Sequence, residues 1–190
     1  MKDSITGYIL VGGESSRMGQ PKGNLKLKGL SFIEHLDACL NHFCEKIYLV
    51  GNKEDYDHLG IERIKDQRLN IGPISGMQSA LNHSSTDWNF ILSCDIPTLD
   101  SDTLNHLIPR RNSKFKAHIL KGKFGLQPLI GLYHKAILNS IENQIYKGDF
   151  KISNLLKRVS IEEVEGLGGK EVLNINTKEE YKRLRDEFEN

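Results

Sequence analysis

The sequence predicts a parallel α/β fold, and three observations carry that expectation. Short apolar runs rich in β-branched residues alternate with longer segments of helical period. The two most telling of those runs stop abruptly, one in glycines and one in an acid. At 190 residues, 38% of them hydrophobic, the chain is also long enough to bury a substantial core.

The strand candidates of the first half are residues 6–10 (TGYIL), 46–50 (KIYLV), 61–65 (IERIK) and 88–93 (WNFILS). Each reads as a buried strand rather than a half-exposed one. Between them, residues 31–43 place Phe32, Leu36, Cys39, Leu40 and Phe43 on one helical stripe, and residues 75–83 form a second helix. The segment 100–108 predicts a third helix with Asp100 or Ser101 as its N-cap. Beyond it the pattern is less regular. Residues 116–120 (KAHIL) and 128–133 (PLIGLY) are strand candidates with room for antiparallel pairing, and helices follow near 135–146 and 152–158. Thr177 and Glu180 stand in capping-box spacing at the head of a charged terminal helix. No internal repeat, low-complexity tract or linker divides the chain, so one domain over 1–190 is expected.

Composition narrows the function. A net charge of +1 argues against a protein built to grip a nucleic-acid backbone. No apolar stretch approaches the ~20 residues of a membrane-spanning helix. Cys39, Cys44 and Cys94 are three in number and in no metal-binding spacing, and no secretory pattern opens the chain, which points to a reducing, cytoplasmic setting. No HExxH or paired-cysteine spacing supports a zinc hydrolase.

Three segments carry candidate chemistry. In "GYILVGGESSRMGQPKG" (7–23) a strand breaks into Gly12, Gly13, small polar residues and Gly19, with Arg17 and Lys22 bracketing the loop. Glycines let backbone N–H groups approach an anion closely, so the loop reads as a phosphate cradle. It matches neither the dinucleotide fingerprint nor the P-loop, and an ordinary glycine-rich connection is the alternative. In "SCDIP" (93–97), Asp95 stands at the carboxyl end of a strand, where open α/β sheets bind ligands and where a carboxylate can hold Mg²⁺. The alternative is a turn carboxylate accepting backbone N–H groups before Pro97. Cys94 beside it reads as a small buried residue rather than a nucleophile. In "DQRLNIGPISGMQSAL" (66–81), Gly72 and Gly76 flank Pro73 at a helix start and leave room for a ring or ribose, and Asp66 adds a second acid to the same sheet edge. A plain helix entry is the competing account.

Together these segments resemble the nucleotidyltransferase family that includes the molybdenum cofactor guanylyltransferases. The family pattern of L-A-G-G running to R-M-G and lysine, then G-P-L-x-G, C-D-x-P and N-x-N-T, appears as "LVGGESSRMGQPK", "GPISG", "CDIP" and "NINT" (174–177), in order over nearly the whole length. The resemblance implies a Rossmann-like three-layer sandwich with a mostly parallel, mixed sheet. It implies GTP and Mg²⁺ as nucleotide and metal, and transfer of GMP to the terminal phosphate of molybdopterin with loss of pyrophosphate. Leu10, Val11, Gly12 and Gly13 would then meet the nucleotide with Gly72 and Gly76, Lys22 and Arg17 would stabilise charge on its phosphates, Asn52 and Asp66 would lie on the nucleoside side, and Asp95 would hold the metal. Val11 replaces the usual alanine and is expected to narrow the base pocket, and Pro21 replaces a frequent aspartate. Gly13 and the late "NINT" favour the guanylyl over the cytidylyl type; the alternatives are that CTP-dependent type and a related sugar- or polyol-phosphate nucleotidyltransferase. The basic stretch 109–123, with Arg110 and Lys116, is either an attractor for the anionic acceptor or a solvated hairpin. Transient contact with proteins that deliver the labile pterin and accept the product is also implied.

Overall fold

The computed structural model describes residues 4–12, 19–108, 114–166 and 172–189. Strand β1 (Ile5–Leu10) leads to a 3-10 turn at Lys22–Asn24, a small hairpin of β2 (Lys26–Leu27) and β3 (Leu30–Ser31), helix α1 (Phe32–Leu40) and β4 (Lys46–Val50). Then follow β5 (Arg63–Ile64), α2 (Pro73–His83), β6 (Trp88–Ser93), α3 (Ser101–Leu107), β7 (Ala117–Gly122) and β8 (Gly125–His134). The chain ends with α4 (Leu138–Tyr146), α5 (Ile152–Leu156), β9 (Ile161–Glu165) and α6 (Lys178–Glu189).

Seven strands form one sheet in the order β5-β4-β1-β6-β8-β7-β9. Among the described residues every neighbouring pair is parallel except the two that involve β8. Alternation along the strands sorts side chains to two cores. Ile9, Leu49, Phe90, Leu92 and Leu132 face a layer that contains Leu36 and Leu40 of α1 and Leu104 and Leu107 of α3. Tyr8, Leu10, Val50, Ile91 and Tyr133 face the opposite layer, with Met77 and Leu81 of α2, Ile141 and Ile145 of α4 and Leu155 of α5. The architecture is therefore the three-layer, mostly parallel, mixed sandwich expected from the sequence.

Local signals explain the element ends. Ser31 caps α1 in a reciprocal box with Glu34, and Asp100 caps α3 by accepting the Thr103 N–H at 2.9 Å. The box expected at α6 forms: the Glu180 N–H donates to Thr177 Oγ1 at 3.2 Å, and the Thr177 N–H to Glu180 Oε2 at 3.0 Å. Helix α1 stops at Leu40, short of the expected end, because Asn41 takes the C-cap. Strand β9 was not expected. Its Glu-rich sequence is a poor strand former, yet Ile161 and Val164 pack inward while Glu162 meets His118 and Glu163 and Glu165 meet Lys121. Among the described residues, no helix is long and apolar enough to cross a membrane.

Candidate active site

The connection after β1 feeds α1 on one face of the sheet, while α2, which precedes β6, covers the other. Adjacent strands β1 and β6 therefore mark the point where the winding changes direction, and a crevice opens there at the carboxyl ends. Three separated stretches of sequence meet in it. Lys22, on the 3-10 turn after β1, directs its Nζ to Asp95 Oδ2 at 3.4 Å, with both side chains largely buried. The same ammonium donates to Asn176 Oδ1 at 2.7 Å.

Asp95 is held from several sides. Ser93 Oγ donates to its Oδ1 at 2.7 Å, and the Ile175 N–H donates to its carbonyl at 2.8 Å. This second bond draws the segment before α6 onto the end of β6, and Thr98 Oγ1 reinforces it by accepting the Leu173 N–H at 3.2 Å. Lys22 is fixed through its neighbour. Gly23 is buried, its N–H donates to Tyr56 Oη at 3.4 Å, and it leaves no room for a side chain against Ile33 and Tyr56.

On the other side of β1 the expected nucleoside residues also converge. Asn52 Nδ2 donates to the Asp66 carbonyl at 3.2 Å. Asp66 Oδ1 in turn accepts from the hydroxyls of Ser75 and Ser79 and from the Arg68 N–H. Gly72 begins α2 at φ +78, a conformation that glycine adopts without strain, with open space where a Cβ would stand.

Several expected residues are differently placed. The side chains of Leu10 and Val11 are buried in opposite cores, and Val11 packs on Gly51, where a Cβ would lie 2.8 Å from its Cγ2. The expected narrowing of a base pocket by Val11 is therefore not found, since the extra methyls point into the sheet layer. Its N–H is also spent, on the Val50 carbonyl at 3.0 Å. Gly12 is the first exposed residue after β1. Gly76 is buried, and Leu10 fills the space its missing side chain leaves, 3.1 Å from where a Cβ would stand. This glycine therefore lets α2 seat on β1 and does not open room for a ring. Gly13 and Arg17 lie outside the described residues, as does Arg110 of the basic stretch.

Cys94 is buried, and burial pushes its thiol up to about 12, which leaves no thiolate for nucleophilic attack at neutral pH. Among the described residues, no group of three or more His, Cys, Asp or Glu could hold a metal. Sequence reasoning assigned no role to Ser93, Ser75 or Ser79. A serine two residues before the acid, and serines four apart at the head of α2, were the available signals. Beside the crevice, a cavity of about 530 Å³ separates the β7–β8 hairpin tip from α6, lined by Phe124, Leu126, Gln127, Leu173, Asn174 and Arg183 among others.

Comparisons with known proteins show the family. Residues 7–164 match the MobA-like NTP transferase domain. A relative from Flavobacterium johnsoniae, named a probable molybdenum cofactor guanylyltransferase, is 36% identical over 187 residues, 96% of this chain and 97% of its own. A solved structure from Aquifex aeolicus superposes with a TM-score of 0.78 at 30% identity, covering 91% of this chain and 94% of that one. Another, of molybdopterin-guanine dinucleotide biosynthesis protein A from Archaeoglobus fulgidus, gives 0.77 at 24% identity, covering 95% and 97%, and bears on the fold alone. The chain belongs to the MobA-like NTP transferase family and is a nucleotidyltransferase.

Proposed function

We propose that this protein transfers the GMP moiety of GTP to the terminal phosphate of molybdopterin, forming molybdopterin guanine dinucleotide and releasing pyrophosphate. The observation that carries this reading is the meeting of Lys22 and Asp95 at 3.4 Å on the carboxyl ends of β1 and β6. A cation and a carboxylate at a winding switch suit a nucleoside triphosphate and its metal. The choice of guanine and of the pterin acceptor is supported by the names of the relatives, at 36% identity for the Flavobacterium protein.

In the transfer, an oxygen of the acceptor phosphate bonds to the α-phosphorus while the bond from that phosphorus to the bridging oxygen breaks, and the electron pair leaves with pyrophosphate. Such a step needs positioning and charge stabilisation rather than a protein nucleophile. Lys22 and Arg17 stabilise the leaving pyrophosphate, and the loop at Gly12 and Gly13 cradles phosphate with its N–H groups. Leu10 and Val11 act by ending β1 beneath the loop, since their side chains are buried and the Val11 N–H and Leu10 carbonyl are bonded within the sheet. Asn52, Asp66, Gly72 and Gly76 form or support the nucleoside side. Asp95 is the metal ligand. One carboxylate, its Oδ1 already oriented by Ser93, fits a hard cation that arrives with the triphosphate and completes its shell with phosphate oxygens and water. Mg²⁺ bound there would neutralise phosphate charge as the α-phosphorus is attacked.

The cavity between the β7–β8 hairpin and α6 is the acceptor side in this account. Ile175 both lines it and donates to the Asp95 backbone, and its wall carries Arg183 together with Glu180 and Glu187. Within the basic stretch 109–123, Lys121 is paired with Glu163 and Glu165, and the remaining cations would attract the anionic pterin. The reading places the protein in the cytoplasm, as one domain, with transient contacts to proteins that deliver and accept the cofactor and no nucleic acid as partner. The test is pyrophosphate release from GTP and Mg²⁺ with and without molybdopterin. Acceptor-dependent release that Asp95→Asn abolishes supports it; full release by that variant, or release with a sugar phosphate instead of the pterin, refutes it.

A further inference from the structure

Two serines on α2, Ser75 and Ser79, are buried, and neither caps the helix, whose N-cap is Gly72. Serine is a poorer helix former than alanine, and a buried hydroxyl is costly unless paired. Both hydroxyls are fully used, and every partner lies in the three residues Asp66, Gln67 and Arg68. Ser75 Oγ donates to Asp66 Oδ1, with the Arg68 carbonyl 2.8 Å away as an alternative acceptor, and accepts the Arg68 N–H at 3.2 Å. Ser79 Oγ accepts the Gln67 N–H at 2.9 Å and donates to Asp66 Oδ1 at 3.3 Å. The Arg68 N–H also reaches Asp66 Oδ1, at 3.3 Å.

The two hydroxyls and the Arg68 N–H converge on one oxygen, Asp66 Oδ1. Asp66 Oδ2 accepts nothing from the described residues. The helix that carries the serines is itself seated on β1, with Leu10 filling the notch at Gly76. The carboxylate is thus fixed to a helix packed on strand β1, with one oxygen spent and one available to accept a hydrogen bond.

We infer that Ser75 and Ser79 are positioning residues that lock Asp66 by Oδ1, so that Oδ2 is held ready for an N–H or O–H donor on the nucleoside half of the nucleotide. This rests on the reading of Asp66 as a nucleoside-side residue. A preorganised acceptor spends no binding energy on ordering itself, so the lock raises affinity for the nucleoside and leaves the phosphates untouched.

The test compares wild type, Ser75→Ala/Ser79→Ala and Asp66→Ala by calorimetric titration with two probes, GTP and inorganic tripolyphosphate, which lacks a nucleoside. The double variant is expected to bind GTP about tenfold more weakly, the scale of a lost charge-assisted hydrogen bond, while tripolyphosphate affinity stays within about twofold. Removing Asp66 in that background should cost little more. Equal weakening toward both probes would show a merely structural role and overturn the inference. GTP binding unchanged in the double variant but weakened in Asp66→Ala would overturn it while leaving the nucleoside reading intact. If Asp66→Ala itself binds GTP as wild type does, the reading of Asp66 fails and the inference with it. Should the double variant not fold, Ser79→Ala alone carries the same comparison with a smaller loss, about threefold; an unchanged GTP affinity there counts against the lock.

Discussion

Gly23→Ala probes how the site's lysine is held. A Cβ at Gly23 would stand 2.5 Å from Ile33 Cδ1, 2.8 Å from Ile33 Cγ1 and 2.8 Å from Tyr56 Cε1, where ordinary contact begins near 3.4 Å. Ile33, on α1, is fully buried and Tyr56 nearly so, so neither can swing into solvent. Overpacking of this kind costs about 1–3 kcal/mol, which exceeds the roughly 0.4–1 kcal/mol that alanine recovers by restricting the unfolded chain. For a chain of this size each kcal/mol moves Tm by roughly 2–4 °C, so a fall of several degrees is expected in a thermal melt. Ile33→Val removes the Cδ1 methyl that the new Cβ meets first. Alone it should cost about 0.5–1.5 kcal/mol, and in the Gly23→Ala background less, with a coupling of at least about 0.5 kcal/mol. A Gly23→Ala protein that melts with wild type, or two strictly additive substitutions, would refute the packing argument.

Further outcomes follow from the same structure. Lys22→Met keeps the aliphatic stem and deletes the ammonium between Asp95 and Asn176, so transfer should fall about 10²-fold or more in kcat/KM, and steady-state pyrophosphate release within a fewfold of wild type would contradict its role. Burial pushes the His118 imidazole below its ordinary 6.5, with Glu162 pulling the other way. The folded state then binds fewer protons than the unfolded one, so this contribution to stability is complete above pH 6.5 and lost as pH falls through the folded value. His134 shifts in the same direction. Melts across that window should decline toward acid, and His118→Gln should flatten the decline; an identical profile in the variant would count against it. The buried Cys94 thiol, pushed up to about 12, should resist iodoacetamide at neutral pH until the protein unfolds, and rapid native-state labelling by mass spectrometry would contradict its burial.

The parts of the fold legible in the sequence were those whose burial pattern is unambiguous. β1 and β6 are continuous apolar runs that fill the centre of the sheet, and their abrupt ends pointed to the crevice. β9 escaped because its parallel pairing with β7, and the partners that its glutamates find there, lie across the sheet and outside any sequence window. The β2–β3 hairpin has only two residues per strand, too few for a period. In the site, Asp95 and Lys22 were visible as residue types at strand ends, but their approach depends on β1 and β6 being neighbours, and Asn176 enters only because the Ile175 N–H anchors the later segment on Asp95. Val11 was misjudged for a reason the sequence held: extending the alternation of Ile5 and Ile9 by two residues sends its side chain into the core. The Ser75–Asp66–Ser79 arrangement was not legible, because residue spacing does not show which carboxylate oxygen the hydroxyls take.

The central claim is that the crevice at the ends of β1 and β6 takes a guanine nucleotide with its metal. Calorimetric titration of the protein with GTP, CTP and ATP, each with and without Mg²⁺, tests it directly. The account predicts Mg²⁺-dependent binding with a clear preference for GTP; a preference for CTP would contradict the guanylyl assignment, and no binding of any of the three would contradict the nucleotide crevice itself.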